Sequence, residues 1–487
     1  MTTLTERGVK WLDERLGTAS TARKALRKVF PEHWSFLLGE IALFCLVILV
    51  FTGVFLTFFF RADTHELTYQ GPYQPLQGQQ VSAAYNSVME LSFQVRAGLL
   101  MRQTHHWAAL VFVAAIVVHL CRIFFTGAFR RPRELNWLVG LVLLMLAMAE
   151  GFTGYSLPDD LLSGIGLRIF YSITLAIPFI GTWVAFLLFG GEFPAPAIIS
   201  RLFVLHVMLL PALLIGLVGL HLAILVLQKH AQFRGPGRSE RNVVGKRLWP
   251  EQTFKSTGLF LLTVAVLAGL GGLAQINPIW QYGPFRPFDV SSPAQPDWYV
   301  GWADGALRLG GPWSFRVFGF TISEVFWPGI VLPGILFGAM FAWPWLERRF
   351  ITRDYAEHNL LDRPRDVPLR SAFGVAGLVI FFVLFLEGGN DIISVLLDVP
   401  VETITRILQV LFFAGPLVTG VATYLLCRQL KTSDLHPARA YAGLRLQRSR
   451  AGGYETVPLG PTEGDGTGDG EVQRPAPTPT GTAAQDQ

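Results

Sequence analysis

"RQTHHWAALVFVAAIVVHLCR", residues 102–122, is an apolar run long enough to cross a hydrocarbon core of about 30 Å, yet it holds three histidines and starts and ends near an arginine. The chain around it has 487 residues, 51% hydrophobic and 15% charged, and its apolar residues gather into blocks of about 20, the length that spans a bilayer. Eight such blocks stand out, near 34–60, 104–126, 136–156, 201–228, 256–275, 324–345, 372–388 and 404–427. The fold class they predict is an all-α polytopic membrane protein with eight transmembrane helices.

Lys and Arg accumulate in short cytoplasmic loops. The arm before residue 34, the turn holding Arg130, Arg131 and Arg133, the loop from Lys229 to Lys255 and the loop from Arg348 to Arg370 are all basic, and eight spans put all four on one side. Both termini are therefore expected in the cytoplasm. A ninth apolar block, 165–191, would reverse the fourth span and turn the basic Lys229–Lys255 loop outward, so it is read as helices lying at the outer surface, broken near Pro178 and Gly181. The net charge of +5 is then a topology signal and gives no case for nucleic-acid binding. Cys45, Cys121 and Cys427 are too scattered for a disulfide framework or a covalent haem motif. From about residue 450 the Gly-, Pro- and Thr-rich tail is expected to be disordered.

His105 and His119 are 14 residues apart, which places them within roughly 40° of one helix face and about 21 Å apart along the axis. His106 falls on nearly the opposite face. The fourth span repeats the device: His206 and His221 are 15 apart, roughly 60° off a common face, with Pro211 between them able to bend the helix. Both spans run inward, so His105 is level with His206 near the outer side and His119 with His221 near the inner side. A single buried histidine in a membrane helix can simply bond a neighbouring helix; four matched in depth point to two stacked bis-histidine haem sites, which carry electrons and leave no open iron position. Arg102 and Arg122 each lie three residues from a ligand, where a guanidinium can neutralise haem propionates or simply anchor the helix end. Gly39 and Gly53 in the first span, and Gly140 and Gly154 in the third, repeat the 14-residue interval, so each could clear space for a macrocycle.

With these spacings, "GYSLP" at 154–158, "IPFIGT" at 177–182 and "PDWY" at 296–299, the chain resembles the cytochrome b subunit of quinol:cytochrome c oxidoreductase, complex III, most closely in its actinobacterial form, over roughly residues 30–430. The resemblance implies a cytoplasmic arm (1–33), a four-helix di-haem bundle (34–230) with surface helices at 157–200, four further spans (231–430) carrying the PDWY loop, and a cytoplasmic tail (431–487). It implies two non-covalent b haems, His105 and His206 ligating the low-potential one and His119 and His221 the high-potential one. Gly166, Pro296, Asp297, Trp298 and Tyr299 would line an outer quinol-oxidation site, with Asp297 and Tyr299 as catalytic residues. Trp34, His230 and Lys255 are candidates for an inner quinone-reduction site. Pro-Asp is also a common turn pair, which would leave Asp297 a plain surface residue. The residue matching the third-haem cysteine of chloroplast-type relatives is Leu37, so no third haem is expected.

The implied activity is that of a respiratory translocase in a bacterial plasma membrane, oxidising a quinol, menaquinol by the resemblance, with a Rieske iron-sulfur protein and a c-type cytochrome as separate partners. A homodimer of the complex and association with a terminal oxidase follow from the same resemblance. A di-haem b anchor of another quinone-linked dehydrogenase or hydrogenase is the alternative, which lacks the PDWY motif and the eight-span length.

Overall fold

The computed structural model describes residues 4–17, 19, 26–289, 295–433, 444–448 and 454–458. It is mostly helical. Eight helices are long and apolar enough to cross a membrane: Trp34–Thr57, Gly98–Phe125, Glu134–Tyr155, Ile198–Gln228, Leu248–Leu273, Trp327–Thr352, Pro368–Gly388 and Val401–Lys431. Each covers one of the eight predicted blocks, because a spanning helix must satisfy every backbone group internally and wear an apolar surface. Their lipid-directed faces carry many exposed Leu, Val and Phe side chains.

The ninth block forms two short helices, Leu161–Leu175 and Gly181–Phe189. Between them Phe179 takes a left-handed backbone conformation (φ 67°), which breaks the run before it reaches spanning length. Asp160 starts the first of the two with a capping box to Ser163. A further helix, Ala83–Phe93, lies between the first and second spans; it is buried along most of its length, capped by Ser82, and packs with Tyr69 and Ile279.

The first span packs on the second, the third on the fourth, and the fifth covers the first two. The seventh span packs against the eighth and against the helix Trp298–Leu309. At the basic end, Arg370 is fully buried, although the charge pattern places it in a solvated loop. Its Nε donates to Glu347 Oε2 at 2.9 Å and its Nη1 to Asp362 Oδ2 at 3.0 Å, while Arg130 reaches the same Asp362 oxygen at 3.1 Å. This network ties the sixth and seventh spans to the turn after the second. Gly127, beside the Arg370 guanidinium, has no room for a side chain.

The fourth span departs from a regular α-helix where His206 lies. Residues Leu205–Leu209 form a π-helical turn, with the Leu210 amide bonding back to the Leu205 carbonyl, immediately before Pro211. A π-turn absorbs one extra residue. The 15-residue spacing of His206 and His221 therefore closes up to match the 14-residue spacings of the other three helices. Strand Tyr454–Pro458 pairs antiparallel with Leu444–Arg448. Residues 459–487 of the tail expected to be disordered lie outside the described residues.

Candidate functional site

The four histidines project from the second and fourth spans toward the four glycines of the first and third. A methyl group placed on Gly53 would lie 3.2 Å from His105 Cε1, and one on Gly39 3.2 Å from His119 Cε1. One on Gly140 would reach 3.6 Å from His221 Cε1, and one on Gly154 would overlap His206 Cε1. Each glycine thus faces one imidazole, in the pairing that antiparallel spans and equal depth require. Each glycine leaves space beside a histidine ring.

At one end the rings of His105 and His206 face each other with centroids 6.2 Å apart. His105 Nδ1 lies 2.8 Å from the Thr52 hydroxyl, and His206 Nδ1 lies 3.0 Å from the Glu150 carbonyl and 3.3 Å from the Thr153 hydroxyl. With Nδ1 of each ring tethered, Nε2 of each is the nitrogen left for a metal. Tethering of the far nitrogen is the usual way a metal-ligating imidazole is oriented. The sequence carries this signal as a repeat, Phe51-Thr52-Gly53 and Phe152-Thr153-Gly154. In each copy the threonine holds a ring and the glycine makes room for it; spacing alone singles out only the glycines.

The same end opens into a cavity of about 510 Å³ whose lining includes His105, His206, Gly53, Gly154, Arg102 and Asp297. Tyr155, Asp160, Asn277, Tyr299 and His106 add to its polar part, and Glu150 lines it beside His206. Asp297 is buried and far from a surface turn residue: Tyr299 donates to its Oδ2 at 3.1 Å, Asn277 Nδ2 lies 3.4 Å from Oδ1, and His106 Nε2 lies 2.9 Å from both oxygens. The Tyr299 hydroxyl packs directly over Gly151, a glycine that carries no regular spacing. Of the other residues expected at an outer quinol site, Trp298 packs into the core beside the cavity. Gly166 lies against the hydroxyl of Tyr155, and Pro296 joins Asp297 to Gln295, whose amide bonds Asp391 at 2.7 Å.

At the other end, His119 Nδ1 is buried with no hydrogen-bond partner. Arg122 stacks over Phe36 at 4.3 Å, with its Nε and Nη2 buried and unpartnered. Arg102 at the first end likewise gives Nη2 to the Asn277 carbonyl at 2.9 Å and leaves Nη1 buried without an acceptor. Buried guanidinium N–H groups call for an anion, and a carboxylate is their best-matched partner. Bis-imidazole sites, cleared of side chains by glycine and flanked by guanidinium groups short of an anion, fit a haem with its propionates.

The three candidates for a second quinone site make no direct contact with one another among the described residues. Trp34 is 69% exposed, Lys255 is exposed at the start of the fifth span, and no hydrogen bond, ion pair or ring contact links either to His230 among the described residues. His230 is partly buried with its ring 4.6 Å from Phe30, and burial, helped by Lys28, Arg133 and Arg122, pushes its imidazole down to about 4. His33, which no sequence pattern marks, lies nearer an aromatic wall: its ring is 4.3 Å from Phe233 and its Nδ1 2.8 Å from the Ser35 hydroxyl.

Residues 110–284 match the family described as "Cytochrome b(N-terminal)/b6/petB". The chain is 49% identical over 460 residues to the cytochrome bc1 complex cytochrome b subunit of Mycobacterium tuberculosis, covering 93% of this chain and 83% of that one. It is 48% identical over 430 residues to the subunit of the same name from Streptomyces coelicolor, covering 88% and 78%. A solved chain titled "Hyperthermophilic respiratory Complex III" shares the fold at a TM-score of 0.63 and 19% identity, over 86% of this chain and 99% of that one. With its histidine pairs, glycine backing and PDWY loop arranged as described, the chain belongs to the family of cytochrome b subunits of the cytochrome bc1 complex.

Proposed function

We propose that the protein is the membrane cytochrome b of a menaquinol:cytochrome c oxidoreductase, with quinol oxidised at the His105 end and one electron of each pair passed across the bilayer to the His119 end. The observation that carries this reading is the continuity of one cavity from the His105–His206 pair to the Asp297 carboxylate. Two b haems, held by His105 with His206 and by His119 with His221, supply one-electron transfer through the membrane when bound. Everything else required falls to the side chains.

A quinol gives up two protons with its two electrons, so the site needs a base beside the electron acceptor. Asp297 stands in the cavity wall with Tyr299 and Asn277 fixing its orientation, and it takes one of those protons. The second electron leaves through a Rieske iron-sulfur protein and a c-type cytochrome, since Cys45, Cys121 and Cys427 are too scattered to form an iron-sulfur ligand set or a C-x-x-C-H haem motif. Arg102 and Arg122, each with buried guanidinium N–H groups short of an acceptor, would hold the propionates. Glu150, Asp160 and Asp297 line the His105 end, while Lys28, Arg122 and Arg133 crowd His230 at the other. The family resemblance makes the His105–His206 pair the low-potential site and His119–His221 the high-potential one, so electrons would run from the first to the second.

The basic loops support a reading with both termini in the cytoplasm of a bacterial plasma membrane and the His105 end outside, and the family resemblance adds a homodimeric complex that can join a terminal oxidase. A potentiometric titration of the purified complex tests the cofactor reading: two b-type signals at separate potentials support it, and one signal or none sinks it. Cysteine labelling tests the orientation. In intact cells Gly237→Cys should be shielded from an impermeant thiol reagent and Ser292→Cys, in the 290–294 segment outside the described residues, should react. The reverse pattern would invert the topology.

A further inference from the structure

We propose that His106 is a positioning residue for quinol oxidation: its Nε2–H donates to the Asp297 carboxylate and pins the 296–299 loop to the helical turn that carries the haem ligand His105. This rests on the assignment of Asp297 to the quinol site.

Consecutive helical residues point about 100° apart, so His105 and His106 serve different faces of one turn. His106 Nε2 lies 2.9 Å from Oδ1 and 2.9 Å from Oδ2 of Asp297, with the two side chains only 15% and 4% exposed. The same stretch of helix holds the chain beyond the fifth span at three more points. Arg102 Nη2 bonds the Asn277 carbonyl, Gln103 exchanges two bonds with Ile276 (3.0 and 2.7 Å), and Trp107 Nε1 donates to the Ala274 carbonyl at 2.8 Å. Those contacts secure the near end of the loop. His106 reaches its far end, bridging residues 191 apart in sequence.

Asp297 stands at the N-cap position of the helix Trp298–Leu309 but makes no capping bond through its side chain. Its carboxylate is turned inward to His106, Tyr299 and Asn277 instead. Without His106 it would keep only the 3.1 Å and 3.4 Å contacts to Tyr299 and Asn277 and lose both of its bonds to the second span. The loop and His105 line one cavity, so a shift of the loop changes the distance and orientation of a bound quinol relative to both its base and its electron acceptor.

Three variants in the purified complex separate this role from simple packing. His106→Gln keeps a donor nitrogen near the position of Nε2, His106→Asn sets it back near Nδ1, and His106→Leu removes it. Amide hydrogen exchange over residues 295–303 and the kcat and KM for quinol are read together with the reduced-minus-oxidised spectrum. The Leu and Asn variants should exchange faster there and lose about 10- to 100-fold in kcat, the size expected for a misplaced reacting group, with both haem signals intact. The Gln variant should stay close to wild type in both readings. Unchanged exchange in the Leu variant, a Gln variant as open as Leu, or loss of a haem signal in all three would overturn the proposal. Faster exchange with unchanged kcat would leave the clamp standing and remove the assignment of Asp297 on which its role in oxidation rests.

Discussion

At the His105 end both imidazoles are tethered through Nδ1, to Thr52 on one side and to Thr153 and the Glu150 carbonyl on the other. At the His119 end the residues before the glycines are Leu38 and Val139, which offer no hydroxyl, and His119 Nδ1 is buried without a partner. The ligand type and the glycine backing are the same at both ends. The surroundings are not: carboxylates and tyrosines open into a cavity at one, and arginine, lysine and a neutral His230 crowd the other. A ligand pair determines that a metal can be held, whereas the shell around it determines what the held metal is worth as an electron carrier.

The largest expected effect asks whether there are two independent ends at all. His105→Ala or His206→Ala should abolish one b-type signal, and His119→Ala or His221→Ala the other, because each removes an axial ligand; His106→Ala should retain both. A redox titration reads this directly, and loss of the same signal from both ends would merge them into one site.

Asp297→Asn should slow quinol oxidation by about 100-fold, within the range for removal of a catalytic base, while both haems remain and still reduce with dithionite. The effect belongs to the His105 end alone. Wild-type turnover would take Asp297 out of the proton path.

A third comparison sets glycine against glycine. Gly154→Ala drives a methyl into the His206 ring and should cost roughly 1–3 kcal/mol of overpacking, seen as loss of the signal assigned to the His105 end. Gly140→Ala meets His221 at ordinary contact distance, 3.6 Å, and should leave the second signal unchanged. Equal loss from the two variants would mean that the ends are equally tight.

The smallest effect concerns the tethers. Thr52→Val keeps the shape and removes the hydroxyl at His105 Nδ1, so haem at that end should be held about 10-fold less tightly, the lower range for a lost outer-shell bond. Haem transfer to an acceptor protein measures it. A variant that also weakens the His119 end would show that the two shells are coupled.

Span positions, the paired histidines and their glycine partners are all legible in the linear chain, because they depend on one-dimensional properties: the length of an apolar run, and the rise and rotation per residue of a helix. Rotation alone sets His106 apart from the haem face. What His106 meets is not legible, since Asp297 arrives from 191 residues away through loop closure. The same holds for Arg370, which charge counting places in a solvated loop and packing buries against Glu347 and Asp362. The roughly 60° offset that an ideal helix gives His206 and His221 fails for a local reason, as a regular α-helix has no place for the π-turn at Leu205–Leu209. The candidates for the second quinone site are chosen by position along the chain, and chain order carries no information on which loop side chains share a wall. Which segments cross the membrane, and at what depth their ligands lie, is therefore written in the amino-acid order, since lipid imposes length and periodicity on every span. Which groups tether, clamp and charge those ligands is settled by the packing of distant segments, since hydrogen bonds act over about 3 Å and no local pattern brings their partners together.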